Sequence, residues 1–157
     1  MFLYEMFPPK RIKIGLDADD KDEVFEEMTD LFCRVENSNM RQEILDAIHK
    51  RESKMSTGIH KGIAVPHGQT NVLQDMHGIL GISRKGIDYD ALDGQPVYIL
   101  FMLLSPQKDA EMHLRLLKRL AGLLDNPQFY ADLVAQTDSQ GAYGVIKKYE
   151  EMFIASD

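Results

Sequence analysis

Among the five histidines of this 157-residue chain, His67 has the surroundings of a reactive group. It follows Ile63-Ala64-Val65-Pro66 and precedes Gly68. Residues 63–65 read as a short buried strand entered through Gly62. Pro66 has no backbone donor and stops a sheet ladder, while Val65, preceding a proline, is pushed toward extended geometry. The strand then ends at His67, and Gly68 lets the chain turn at once. An imidazole presented in this way has a fixed approach and a free face. Near neutral pH a large fraction of it is uncharged, so it is a competent nucleophile that can carry a covalent phosphoryl group.

Two more side chains could serve an anion at such a group. Arg51 falls three residues after Ile48 and seven after Ile44, on or beside the apolar stripe of a helix and near its end. That charge either snorkels and meets the helix C-terminus, or turns its planar donors toward phosphate oxygens. His113 lies on the leucine face of a second helix, in its first turn. It is either a hydrogen-bonded core residue or part of an anion site, because the first amides of a helix lack partners. The five histidines have no recognised ligand spacing, so neither a metal nor another cofactor is expected.

The elements that must position these residues follow from periodicity. Residues 11–16 alternate like a first strand. A helix over 21–34 buries Val24, Met28, Leu31 and Phe32, with Asp20 as its cap and Glu23 returning the bond as a capping box. After a turn-rich stretch, a helix capped by Asn39 runs to about Lys54 with Ile44, Ala47 and Ile48 inward. Residues 78–83 form a strand, and 97–104 are apolar on both faces, as a central strand should be. The short 88–95 connection between them suggests antiparallel pairing; Asp93-Gly94 is a turn signal. The helix over 109–124 turns Leu116, Leu117, Leu120, Leu123 and Leu124 inward. Pro127 opens another helix and Ser139 caps a last one. Strands with helices between them give an α/β layered domain, one domain over 1–157 with residues 1–10 as a poorly defined lead-in.

Composition narrows the function classes. A formal charge of −7, with no lysine and arginine cluster, argues against nucleic-acid binding, which depends on neutralising phosphates. The longest apolar run is far short of the roughly 18 residues of a membrane span, and the first ten residues lack a signal-peptide pattern. A cytoplasmic protein without membrane insertion is expected. Its single Cys33 can form no intramolecular disulfide and reads as a small core residue.

Arg51-Glu52-Ser53 followed by the run from Ser56 to Gly68, STGIHKGIAVPHG, resembles the active-site signature of the fructose and mannitol enzyme IIA domains of the bacterial phosphotransferase system. The resemblance runs from about Asp20 to the end of the helix over 109–124, where His113-Leu114-Arg115-Leu116-Leu117 matches the family's second histidine. It implies a mixed β-sheet flanked by helices. It also implies that His67 accepts a phosphoryl group from the phosphocarrier HPr and passes it on, with Arg51 and His113 in the site. Thr57 and Ser56 could then bind phosphate through their hydroxyls, or simply satisfy the turn. The onward acceptor would be a sugar-specific enzyme IIB. In the alternative, matching the family's nitrogen-regulatory members, the phosphorylation state controls a partner protein. One departure stands out: the family usually carries glycine where this chain has His60, an extra imidazole near the site.

Overall fold

The computed structural model describes residues 1–59 and 61–156; the expectation for His60 lies outside them. Its centre is strand β5 (Val97–Ser105), flanked antiparallel by β4 (His77–Ile87), with Ile79 opposite Met102 and Gly81 opposite Leu100. On the far side of β4, β1 (Ile12–Ile14) pairs parallel. The other edge of β5 takes two short parallel strands, β2 (Ile63–Ala64) and β3 (His67–Gln69), one after the other. The result is a mixed sheet in an α/β fold, the architecture expected from the sequence.

Alternation along β5 explains its uninterrupted apolar run. Ile99, Phe101 and Leu103 face one core, and Leu100, Met102 and Leu104 face the other. Successive side chains of a strand point to opposite faces, so both faces need cover. Helices α1 (Lys21–Val35) and α2 (Arg41–Glu52) cover one face through Val24, Phe25, Met28, Ile44 and Ile48. Half-buried Cys33 packs against this core, its thiol pushed up by burial. Helices α3 (Ala110–Leu124), α4 (Pro127–Val134) and α5 (Ser139–Ala155) cover the other, with Leu116, Leu120, Phe129 and Ile146 turned in.

Several expectations need correction. Residues 1–10 are no loose lead-in: Leu3 and Phe7 are buried, each worth roughly 2 to 3 kcal/mol on burial. The carboxylate of Glu150, fully buried, accepts from the amides of Leu3 at 2.6 Å and Tyr4 at 2.8 Å and pairs with Arg119 at 2.9 Å. Asp20 does cap α1, but Glu23 returns its bond to the amide of Asp19. Asn39 does not cap α2, which starts after Met40 without a side-chain cap, and Asp138 rather than Ser139 caps α5.

The chain also does not turn at Gly68. Pro66 interrupts the ladder only as a donor; its carbonyl accepts from Leu103 at 3.0 Å, and pairing resumes at once in β3. His67 therefore opens a strand instead of closing one. Gly68 eases the close approach of β3 to α2, since a Cβ there would lie 3.1 Å from the backbone of Ala47 and Ile48, tighter than ordinary contact.

Candidate active site

Parallel register against β5 sets the geometry. His67 lies opposite Leu103, and Gln69 opposite Ser105. Leu103 faces the core beneath α3, so the His67 side chain is delivered to the α3 side of the sheet. Just beyond Ser105 the chain enters α3, whose first turn carries His113 on its buried face. The two imidazole centroids are 5.4 Å apart, with their planes inclined at 56°.

Each ring is held by its Nδ1. His67 Nδ1 is 2.8 Å from the carbonyl oxygen of Val65. A carbonyl can only accept, so Nδ1 carries the proton and Nε2 keeps its lone pair. Burial holds the pKa of His67 below the ordinary value and Arg51 adds to this, while the Val65 bond pulls the other way. Near neutral pH the ring is thus uncharged, with its lone pair on Nε2. His113, 4% exposed, has Nδ1 2.6 Å from the hydroxyl of Ser105. Burial, with the neighbouring His67, lowers its pKa to about 4. Its Nε2 is buried and makes no hydrogen bond among the described residues.

Both rings line a cleft of about 420 Å³ together with Lys50, Arg51 and Lys54 from the end of α2, and Gly68, Gln69 and Gln107. No carboxylate is among its described lining residues. Three cations on one wall make a site for an anion despite the acidic chain as a whole. Arg51 donates through one Nη to the carbonyl of Met55 at 2.9 Å, which fixes the guanidinium at the end of α2. Among the described residues, no group of three or more histidine, cysteine, aspartate or glutamate side chains could hold a metal ion. No described helix is long and apolar enough to cross a membrane.

Of the residues singled out from sequence, the structure brings His67, His113 and Arg51 into one cleft; Thr57 lines a smaller cavity that adjoins it at Arg51 and His67, and Ser56 lines neither. The Thr57 hydroxyl lies 2.8 and 3.0 Å from the carboxylate oxygens of Glu52. A carboxylate only accepts, so that hydroxyl has already given its one proton. The Tyr89 hydroxyl at 2.7 Å must then be the donor to it. Thr57 has no proton left for a phosphate oxygen. The Ser56 hydroxyl accepts from the amide of Gly58 at 3.2 Å, within the turn. Both side chains serve the loop that leads into β2.

Sequence reasoning missed Glu52, Ser105, Lys50 and Lys54. Glu52 had a signal: it continues the buried spacing Ile44, Ile48 by one further turn, a place where a carboxylate needs a reason. Ser105 is the first polar residue after the apolar run of β5. The two lysines carried none beyond their charge.

Residues 5–149 match the family described as phosphoenolpyruvate-dependent sugar phosphotransferase system, EIIA 2. The chain is 31% identical over 151 residues to the PTS system fructose-specific EIIABC component of Bacillus subtilis, covering 96% of this chain but only 24% of that protein. It is 31% identical over 145 residues to a nitrogen regulatory protein of Pseudomonas aeruginosa, covering 92% of this chain and 94% of that one. The crystal structure of nitrogen regulatory protein IIA-Ntr from Neisseria meningitidis superposes with a TM-score of 0.85 at 28% identity, over 92% of this chain and 98% of that one.

Proposed function

The chain belongs to the sugar phosphotransferase system EIIA 2 family, and from that premise we propose that it is a phosphoryl carrier whose acceptor is Nε2 of His67. The observation that carries this reading is the bond from Nδ1 of His67 to the Val65 carbonyl. It leaves a neutral lone pair in a cleft walled by Lys50, Arg51 and Lys54.

The donor is a phosphohistidine on an HPr-type phosphocarrier. Nε2 attacks phosphorus in line; the new N–P bond forms as the carrier's N–P bond breaks, and the carrier imidazole leaves with that electron pair. No proton need cross between the proteins. Positive charge develops on the His67 ring, and the Val65 carbonyl already holds the Nδ1 proton through which it is stabilised. The charge spread over the phosphoryl oxygens is met by Arg51 and by His113, whose Nε2 donates when the Ser105 hydroxyl donates to Nδ1. Positioning and electrostatics carry the step, with little acid or base chemistry. Transfer onward to an enzyme IIB domain repeats it in reverse.

A second reading concerns what the phosphoryl group is for. Similarity along nearly the whole length of a nitrogen regulatory protein supports a regulator whose phosphorylation state changes its hold on a partner. The fructose-specific relative, of which this chain matches one part, supports a relay toward sugar uptake.

Intact mass after incubation with phosphoenolpyruvate, enzyme I and HPr, under conditions that preserve acid-labile phosphate, tests the carrier. One phosphoryl mass is expected on the wild type. An unmodified wild type in an active mixture overturns the proposal. A chase with a purified enzyme IIB domain then separates the two uses: loss of the group to IIB supports the relay, and retention supports the regulator.

A further inference from the structure

One buried charge has no part in that chemistry. Glu52, the last residue of α2, is 7% exposed and does not line the cleft. A carboxylate out of water is costly, and the C-terminal end of a helix is an unfavourable place for negative charge. Yet both of its oxygens are engaged. They accept from the Thr57 amide at 2.9 and 3.1 Å and from the Thr57 hydroxyl, with the Lys21 ammonium at 3.5 Å. Held at its amide and its hydroxyl together, Thr57 has little freedom in backbone or side chain. Its carbonyl in turn accepts from the amide of Val65 at 3.0 Å. The Val65 carbonyl is the group that holds Nδ1 of His67.

We propose that Glu52 is a positioning residue for the phosphoryl acceptor: by clamping Thr57 it aims the Val65 carbonyl at Nδ1 of His67, and so fixes the tautomer that leaves Nε2 nucleophilic. Arg51 and its neighbour divide the work of the helix end, one turned to the cleft and the other to the support beneath it. The hydroxyl of Tyr89 completes the clamp by donating to Thr57, and burial raises its own pKa so that it keeps its proton. A carboxylate suits this place because it accepts two bonds from one residue without a competing donor. The inference rests on the reading of His67 as acceptor.

The test reads the ring directly. In histidine-labelled protein, long-range ¹H–¹⁵N spectra at a pH where His67 is neutral report which ring nitrogen carries the proton. Wild type is expected to show the Nδ1–H form. Glu52→Gln and Thr57→Val are expected to admit the Nε2–H form and to slow phosphoryl acceptance from phospho-HPr by up to about a hundredfold, with thermal melting showing them folded. Thr57→Ser, which keeps amide and hydroxyl, restores the wild-type tautomer and rate. Folded Glu52→Gln and Thr57→Val proteins that keep the Nδ1–H form overturn the inference; near-isosteric Thr57→Val keeps the test open where Glu52→Gln fails to fold. A wild type that takes no phosphoryl group sinks the acceptor reading instead, and the tautomer spectra still decide the role of Glu52.

Discussion

The cleft holds two imidazoles 5.4 Å apart, and the protein grips them differently. His67 gives its Nδ1 proton to a backbone carbonyl, His113 shares its Nδ1 with the hydroxyl of Ser105. A carbonyl accepts only and so dictates the tautomer; a hydroxyl both donates and accepts and leaves it free. His67 is half-buried with Nε2 committed as a lone pair, the state the proposed acceptor role requires. His113 is buried, uncharged near neutral pH, and able to present Nε2 as a donor when an anion arrives. The partner at one ring nitrogen thus decides whether the other can offer a lone pair only or a proton as well.

The comparison breaks most completely at His67. His67→Ala is expected to abolish phosphoryl acceptance altogether, read as the absence of the added mass, whereas His113→Ala keeps a single acceptor and reaches the same final stoichiometry. Equal loss of stoichiometry in both variants would erase the division of roles. The next effect is on rate. Removing one donor aimed at developing charge costs about 100- to 1000-fold, so quench-flow phosphorylation of His113→Gln should slow by that order.

A third outcome separates the rings by pH. The pKa of His113 is lowered to about 4 in the folded chain against about 6.5 unfolded. The unfolded state therefore binds the proton first as pH falls. Stability is intact above about pH 6.5 and is lost progressively down to about pH 4, by at most about 3 to 4 kcal/mol. Denaturant unfolding of the wild type should show this loss and His113→Gln should show less of it; parallel curves would place the acid sensitivity elsewhere. The smallest effect belongs to Ser105→Ala. It leaves Nδ1 of His113 buried without a partner, costing about 1 to 3 kcal/mol of stability. It should also slow transfer roughly tenfold, a tenfold change corresponding to about 1.4 kcal/mol, with the His67 tautomer unchanged.

Much of the fold was legible because its signals are local. Apolar alternation on both sides of the 97–104 run demanded a central strand, and the leucine spacing of 109–124 demanded a buried helix face. Arg51, His67 and His113 were legible as chemical groups. Thr57 stayed open between phosphate binding and the turn, because a hydroxyl near a histidine in sequence says nothing of which acceptor takes its proton; in the fold Glu52 takes it. The turn expected at Gly68 failed for a related reason. Proline forbids donation, but the sheet needed only an acceptor at Pro66, and β5 supplied the donor.

By itself the sequence determined which residues are apolar on which face, where the histidine follows its proline, and that a positive charge sits at the end of a buried stripe. Only the tertiary structure decided that His67 and His113 share a cleft, since that depends on the register of β3 against β5 and on the entry into α3 after Ser105. It also decided that Arg51 faces the cleft while adjacent Glu52 is buried. Helical periodicity defines a stripe; which neighbour receives each side chain is set by elements distant in the chain, and with it the proton each nitrogen carries.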